Sequence, residues 1–172
     1  MMIALKLRKP ISRDLDSMYA ILEASIAPFL YVNENSSKEN QLIIDKKYVK
    51  GYIEDKRFFT EIVEIDGTIV GWMAGSSNWE ILKSHNCGIW DFYIEEIVVS
   101  DKHRRRGIGK KLLETIQCTT PGKIIVDTVS ANLIAVRFYE KMGFAEPARA
   151  TRDYSKNWKR MSRGCVGHST GE

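Results

Sequence analysis

Between residues 89 and 119 the hydrophobic period switches from two to 3.6 across a short basic loop, which dictates a strand running straight into a helix. Residues 89–99 are dense in aromatic and β-branched side chains and read as one long strand. Residues 107–119 put Ile108, Leu112, Leu113 and Ile116 on one helical face. Residues 123–129, with Ile124, Ile125 and Val126, predict a short buried strand. A last helix is expected over 131–142, and Gly143 stands where a left-handed C-terminal residue is needed. Strand–helix–strand–helix requires a crossover, so the two strands should be parallel neighbours.

The rest of the chain supplies the remaining layers. Residues 4–9 alternate apolar and polar and predict a first strand that Pro10 closes. Ser12 or Asp14 can cap a helix whose apolar stripe is Leu15, Met18, Leu22 and Ile26, and Pro28 opens a loop. A second helix is predicted over 39–54 with Leu42, Val49 and Ile53 inward. Residues 58–65 and 68–76 are two strands separated by Asp66-Gly67, the signature of a type I′ hairpin. Residues 78–86 read as a loop or hairpin end. Residues 144–154 and 158–163 predict a final antiparallel pair, with a disordered tail from 164 onward. Such a succession over 172 residues predicts one mixed α/β domain, residues 4–163.

Composition excludes several classes of function. Cys87, Cys118 and Cys165 are odd in number and lack C-x-x-C spacing, and His85, His103 and His168 are scattered, so neither a disulfide framework nor a metal site is expected. Unpaired cysteines favour a reducing compartment, and a cytoplasmic location is expected. No apolar run approaches ~20 residues, so no membrane span is predicted. The net charge of +4 suits an anionic ligand but does not demand nucleic acid. The basic run 102–111 is short, and no aromatic residues interleave it as a nucleic-acid surface would require.

That basic run nevertheless has the chemistry of a phosphate site. Gly107 and Gly109 flank a helix start, where unpaired N–H groups and a partial positive charge favour an anion. Arg104, Arg105, Arg106 and Lys110 add formal charge. A P-loop would require a glycine at Arg104 and a hydroxyl at Lys111, and a dinucleotide loop a glycine at Leu112, so both are excluded.

The run from Arg104 to Gly109 resembles the R/Q-x-x-G-x-G/A pyrophosphate motif of the GNAT (Gcn5-related N-acetyltransferase) superfamily. A second block, from Asn132 through Ala135, Phe138 and Tyr139 to Gly143-Phe144, is similar to that superfamily's N-x-x-A-x-x-F/L-Y-x-x-x-G-F pattern. The local sequence Tyr93-Ile-Glu-Glu-Ile-Val-Val99 resembles the polyamine acetyltransferases. The resemblance implies a mixed, mostly antiparallel sheet of about seven strands flanked by about four helices, with a parallel strand pair at the acetyl-CoA site. It implies that the backbone of Ile97, Val98 and Val99 meets the acetyl carbonyl and pantetheine. Pyrophosphate would lie on Arg104, Arg105, Arg106, Gly107, Ile108, Gly109 and Lys110. Asn132 would reach the pantetheine or its neighbouring loop, and Tyr139 would lie near the sulfur. A homodimer is compatible with this reading.

Transfer from thioester to amine requires a neutral amine, a polarised carbonyl and a proton for the departing thiolate. An alkyl ammonium titrates near ~10.4, so at neutral pH the amine must lose a proton; a carboxylate can take it, directly or through water, or can simply attract the cation. Glu95 and Glu96 are adjacent on a strand and should point to opposite faces. The polyamine-enzyme resemblance favours Glu95. Tyr139 can donate a proton to the thiolate, although periodicity alone would make it a core residue beside Phe138. Direct attack is expected, because Cys118 falls at a helix end without a histidine partner in sequence and the other cysteines are in loops. The acceptor is a small amine such as a polyamine or, as alternatives, a protein N-terminus or lysine. A non-catalytic acyl-CoA binder is the other possibility. Phe29, Tyr31, Glu34 and Trp79 stand in loops expected to line the acceptor site.

Overall fold

The structure is a computed structural model describing residues 5–30, 45–116, 122–146 and 158–164, with the backbone alone at residues 29 and 30. Strands β1 (Leu5–Arg8), β2 (Phe59–Ile65), β3 (Thr68–Ser76), β4 (Phe92–Val99), β5 (Lys123–Val129) and β6 (Trp158–Gly164) form one sheet in sequence order. The helices are α1 (Leu15–Leu30), α2 (Lys46–Glu54), α3 (Trp79–Ser84), α4 (Ile108–Leu113) and α5 (Leu133–Lys141). β1 and β2 are antiparallel, as are β5 and β6, while β4 and β5 are parallel. The mixed sheet and its parallel pair agree with the sequence reading.

The described residues contain six strands and five helices where about seven and four were expected. The extra helix is α3. Residues 78–86 have too few apolar positions to show a period, but Asn78 caps α3 by accepting the Glu80 N–H at 3.0 Å. Of the expected strand over 144–154, Ala145 makes an isolated bridge to Ser162, and residues 147–154 lie outside the described set. The tail 165–172, Leu42, Tyr31, Glu34, Cys118, Cys165 and His168 also lie outside it. Asp66 and Gly67 have φ of 49° and 75°, the double positive that a type I′ turn requires.

Four boundaries differ from expectation. Pro28 lies within α1 and not at the head of a loop. It falls in the last turn and lacks the N–H that would bond the Ala24 carbonyl. Ser12 and Asp14 form a separate 3-10 turn before α1. The Asp14 carboxylate accepts the Ile11 N–H at 2.8 Å and two bonds from Arg8 at 2.7 and 2.9 Å. β4 starts at Phe92, because Gly88 and Asp91 close a tight turn that leaves Ile89 and Trp90 exposed. Among the described residues of the expected 107–119 helix, 108–113 are α-helical, and residues 117–119 lie outside the described set.

Contacts divide the chain into two compact units. The first comprises the described residues of Met1–Ala74 and Glu96–Thr115. Its core joins Met18 and Leu22 of α1, Val49 and Tyr52 of α2, Ile62, Trp72, Ala74 and Val98. Two backbone carbonyls are satisfied by side chains there: Trp72 Nε1 donates to Met18 at 2.9 Å, and Thr60 Oγ1 to Tyr52 at 2.7 Å. Tyr52 stands among the last carbonyls of α2, which lack helical donors. Arg8 bridges Asp14 and Glu64, and its guanidinium holds both carboxyls below their usual range.

The second unit comprises the described residues of Gly75–Glu95 and Ile116–Glu172. Leu82, Cys87, Tyr93 and Ile125 make one of its buried clusters. Gly75 is sterically required. A Cβ there would lie 2.4 Å from the Phe92 ring and 2.6 Å from the Tyr93 carbonyl oxygen, and a backbone oxygen cannot turn aside. Gly75→Ala is therefore expected to cost roughly 1–3 kcal/mol or more of stability. Gly51 in α2 has nothing within 4 Å of an added Cβ, so Gly51→Ala should instead gain about 0.5–1 kcal/mol. Urea unfolding of the two variants checks the contrast.

Candidate active site

The glycine loop belongs to the first unit. β4 ends at Val99, and Ser100 N–H still donates to the Val70 carbonyl at 2.8 Å. A 3-10 turn over Asp101–His103 follows, then Arg105 at φ 62° and Gly107 at φ 78°. Two left-handed residues within three positions rotate successive peptide planes, a geometry that gathers N–H groups into an anion-binding concavity. Gly107 has open space where a Cβ would be, so its backbone conformation and not crowding accounts for the glycine.

Lys111 N–H returns to the Gly107 carbonyl at 2.9 Å. The N–H groups of Ile108, Gly109 and Lys110 precede that first bond and have no acceptor within the helix. Ile108, Leu112 and Leu113 are buried and anchor α4. Gly71 permits this approach: a Cβ there would sit 3.0 Å from the Val98 oxygen and 3.2 Å from Ile108 Cγ2. The sequence reading missed Gly71, whose only signal was a glycine interrupting a strand.

The three arginines are not equivalent. Arg104 is half-buried, donating to the Val99 carbonyl at 3.3 Å and pairing with Asp101 at 2.7 Å. It braces the loop from within. Arg105, Arg106 and Lys110 are exposed, and Lys110 lies 3.9 Å from Glu114. Exposed cations around unreturned N–H groups fit a pyrophosphate. Val98 is buried in the first unit's core, with Ile97 and Val99 half-buried.

Glu95 and Glu96 meet different helices, as their alternation on β4 requires. In the first unit, Tyr48 of α2 donates to Glu96 Oε1 at 3.4 Å. In the second, Glu95 Oε1 lies 3.1 Å from His85 Nε2 at the end of α3. The Glu95 side chain is 12% exposed and that of His85 27%. Tyr93, two residues before Glu95, donates to Asp127 at 3.0 Å. Its phenol is pushed up by burial and then by the Asp127 and Glu95 charges. Trp79, expected in a loop, is an exposed residue of α3.

Asn132 and Tyr139 also belong to the second unit. Asn132 Oδ1 caps α5 by accepting the Ala135 N–H at 3.1 Å, a role that the asparagine of the second motif performs here. Tyr139 is 5% exposed, its ring centroid 5.2 Å from Phe138 and 5.3 Å from Phe144. The motif's aromatic residues thus pack on one another. Cys87 is buried, and burial pushes its thiol up to about 12, which removes it as a nucleophile at neutral pH. A separate cavity of about 380 Å³ in the first unit is lined by Arg8, Asp14 and Glu64, whose charges already pair with one another. Among the described residues, no helix is long and apolar enough to cross a membrane.

Comparison with known proteins agrees with the fold. The L-ornithine N5-acetyltransferase NATA1 of Arabidopsis thaliana is 27% identical over 130 residues, covering 72% of this chain and 55% of that protein. The chain spans about half the length of the curated relatives it matches, 51% and 55%. Among solved structures, PH1933 from Pyrococcus horikoshii OT3 superposes with a TM-score of 0.66 at 21% identity, covering 95% of this chain and 99% of that one. The PaiA N-acetyltransferase from Thermoplasma acidophilum, in complex with coenzyme A, gives 0.66 at 14% identity, covering 95% and 100%. The sequence profile of the Acetyltransferase (GNAT) family matches residues 18–144, and the chain belongs to that family.

Proposed function

We propose that the chain is an acetyl-CoA-dependent N-acetyltransferase that acetylates a small primary amine by direct attack. The carrying observation is the glycine loop, with Arg105 and Gly107 left-handed around a short helix start, inside a chain that matches the family over residues 18–144. The match runs through both units, which supports one domain over residues 4–163. The ornithine acetyltransferase relative supports a small amine as acceptor. The buried, unpaired thiol of Cys87 supports a cytoplasmic setting.

In this reading acetyl-CoA supplies an acyl group already activated as a thioester. The N–H groups of Gly107, Ile108, Gly109 and Lys110 hold the pyrophosphate, with Arg105, Arg106 and Lys110 adding charge and Arg104 bracing the loop. The parallel ladder pairs only Phe92–Ile94 of β4 with Ile124–Val126, while β4 continues to Val99. That supports Ile97, Val98 and Val99 as the backbone partners of the acyl carbonyl and pantetheine. Asn132 keeps the start of α5 in place, Glu95 takes the amine's proton and Tyr139 protonates the departing thiolate. Glu96 is the second carboxylate, held by Tyr48.

A thiol-release screen of acetyl-CoA against polyamines, ornithine, other amino acids and peptides tests the assignment. Release only with peptides would replace the small-amine acceptor, and release with none would leave an acyl-CoA binder. Glu95→Gln should lower turnover most near neutral pH and progressively less toward pH ~10, where the amine becomes neutral unaided. A uniform loss across pH would mean that Glu95 attracts the cation without taking its proton. A pH-dependent loss in Glu96→Gln alone would assign the base to the other face.

A further inference from the structure

His85 is clamped at both its ring and its backbone, and the bonds that do this come from three strands. The imidazole stacks on Tyr93 with centroids 3.8 Å apart and planes 15° apart. Tyr93 donates to Asp127 at 3.0 Å, and Asp127 takes two bonds from Arg160, each 2.8 Å. Arg160 Nη2 then donates at 2.7 Å to the carbonyl of His85 itself. The circuit returns to the residue from which it began. Asp127 and Arg160 are 9% and 8% exposed, so losing either would strand a buried charge. Nothing in this circuit uses the Nε2 edge, which lies 3.1 Å from Glu95. An incidental surface histidine would have no need of such a frame.

We infer that His85 is the positioning residue for Glu95, holding its carboxylate and setting how strongly it attracts a cationic acceptor. The inference rests on the reading of Glu95 given above. An imidazole Nε2–H can donate to an ionised carboxylate in both its neutral and its charged form. The neutral ring leaves the carboxylate's charge to the incoming ammonium, whereas imidazolium cancels it at hydrogen-bond distance.

The other groups around His85 leave Glu95 as its main electrostatic partner. Arg160 of β6 and Asp127 of β5 neutralise each other. Tyr93 of β4 stays protonated, its phenol pushed up by burial, and so does Cys87, pushed up to about 12. Cys87 Sγ also reaches the His85 carbonyl at 3.6 Å. Lys83 is on the same short helix as His85's cap position.

The test uses the full chain with saturating acetyl-CoA and 1,4-diaminobutane as acceptor, from pH 5.5 to 8.5. In His85→Gln, whose amide can still donate to the Glu95 carboxylate, the acceptor KM should stay within about threefold of the wild type's. His85→Ala should raise the acceptor KM at every pH without changing that for acetyl-CoA. An acceptor KM in His85→Ala equal to the wild type's would overturn the inference. If Glu95→Gln leaves turnover unchanged, the reading of Glu95 as the base is wrong.

A spectroscopic readout separates the two. Long-range 1H–15N spectra of histidine-labelled protein at pH 8.5 should show His85 as the Nε2–H tautomer. That preference should disappear in Glu95→Ala, with a thermal melt checking that the variant is folded. An Nδ1–H tautomer in the wild type, or an unchanged one in Glu95→Ala, overturns the positioning role whether or not any amine is acetylated.

Discussion

Gly107→Asp should fold normally and bind coenzyme A on the order of 100-fold more weakly than the wild type, about 3 kcal/mol for a like charge set against a phosphate. Space is not the reason, since an added Cβ meets nothing within 4 Å. The reasons are the φ of 78° and the carboxylate's charge. Gly107→Asn separates them, because asparagine tolerates the left-handed region and carries no charge. It should lose no more than about tenfold, a backbone cost of roughly 1 kcal/mol. Gly107→Val should lose affinity through its backbone, since a β-branched residue resists positive φ. Calorimetry with coenzyme A measures all three. A folded Gly107→Asp with unchanged affinity would remove the pyrophosphate site from the proposal.

Tyr139→Phe should lower turnover by roughly 10–1,000-fold while coenzyme A affinity barely changes. The ring keeps its contacts with Phe138 and Phe144, so stability should fall by no more than about 1 kcal/mol. A thioester with a more acidic leaving thiol needs less protonation and should partly restore the variant. That rescue distinguishes an acid from a group that merely packs. Equal rates for both proteins with both thioesters would place Tyr139 in the core alone.

How far the sequence carried depended on whether a feature was local. The Asp66-Gly67 turn was legible because its chemistry lies within two residues, and both adopt the required positive φ. β5 was legible to its boundaries, because Ile124, Ile125 and Val126 stand between polar residues. The glycine loop was legible as a pattern, but not the division of labour among its arginines. Arg104 is taken up by Asp101 and the Val99 carbonyl, contacts that depend on the 3-10 turn between them. The helical period failed where it had too little length, as in the six residues of α3.

The partners of the two glutamates were invisible for a different reason. Alternation separates Glu95 from Glu96, yet it cannot say that one meets His85 and the other Tyr48. Those partners lie 10 and 48 positions away and are brought in by α3 and α2. Asp14 shows the same limit: it looks like a helix cap, but Arg8 and the Ile11 N–H occupy its carboxylate. Tertiary competition for a side chain leaves no local trace.

The burial of Trp72 has an optical consequence. Of the four tryptophans, Trp72 is fully enclosed, while Trp79, Trp90 and Trp158 are 48%, 55% and 37% exposed. Trp72 belongs to the first unit and the other three to the second. The native chain therefore carries one indole shielded from quenchers and three open to them, sorted by unit. Acrylamide would silence the exposed three first, leaving a blue-edge emission that follows the first unit's core. With Trp72 replaced by phenylalanine, the remaining fluorescence would follow the second unit, so melting of the two could be timed separately without an attached dye.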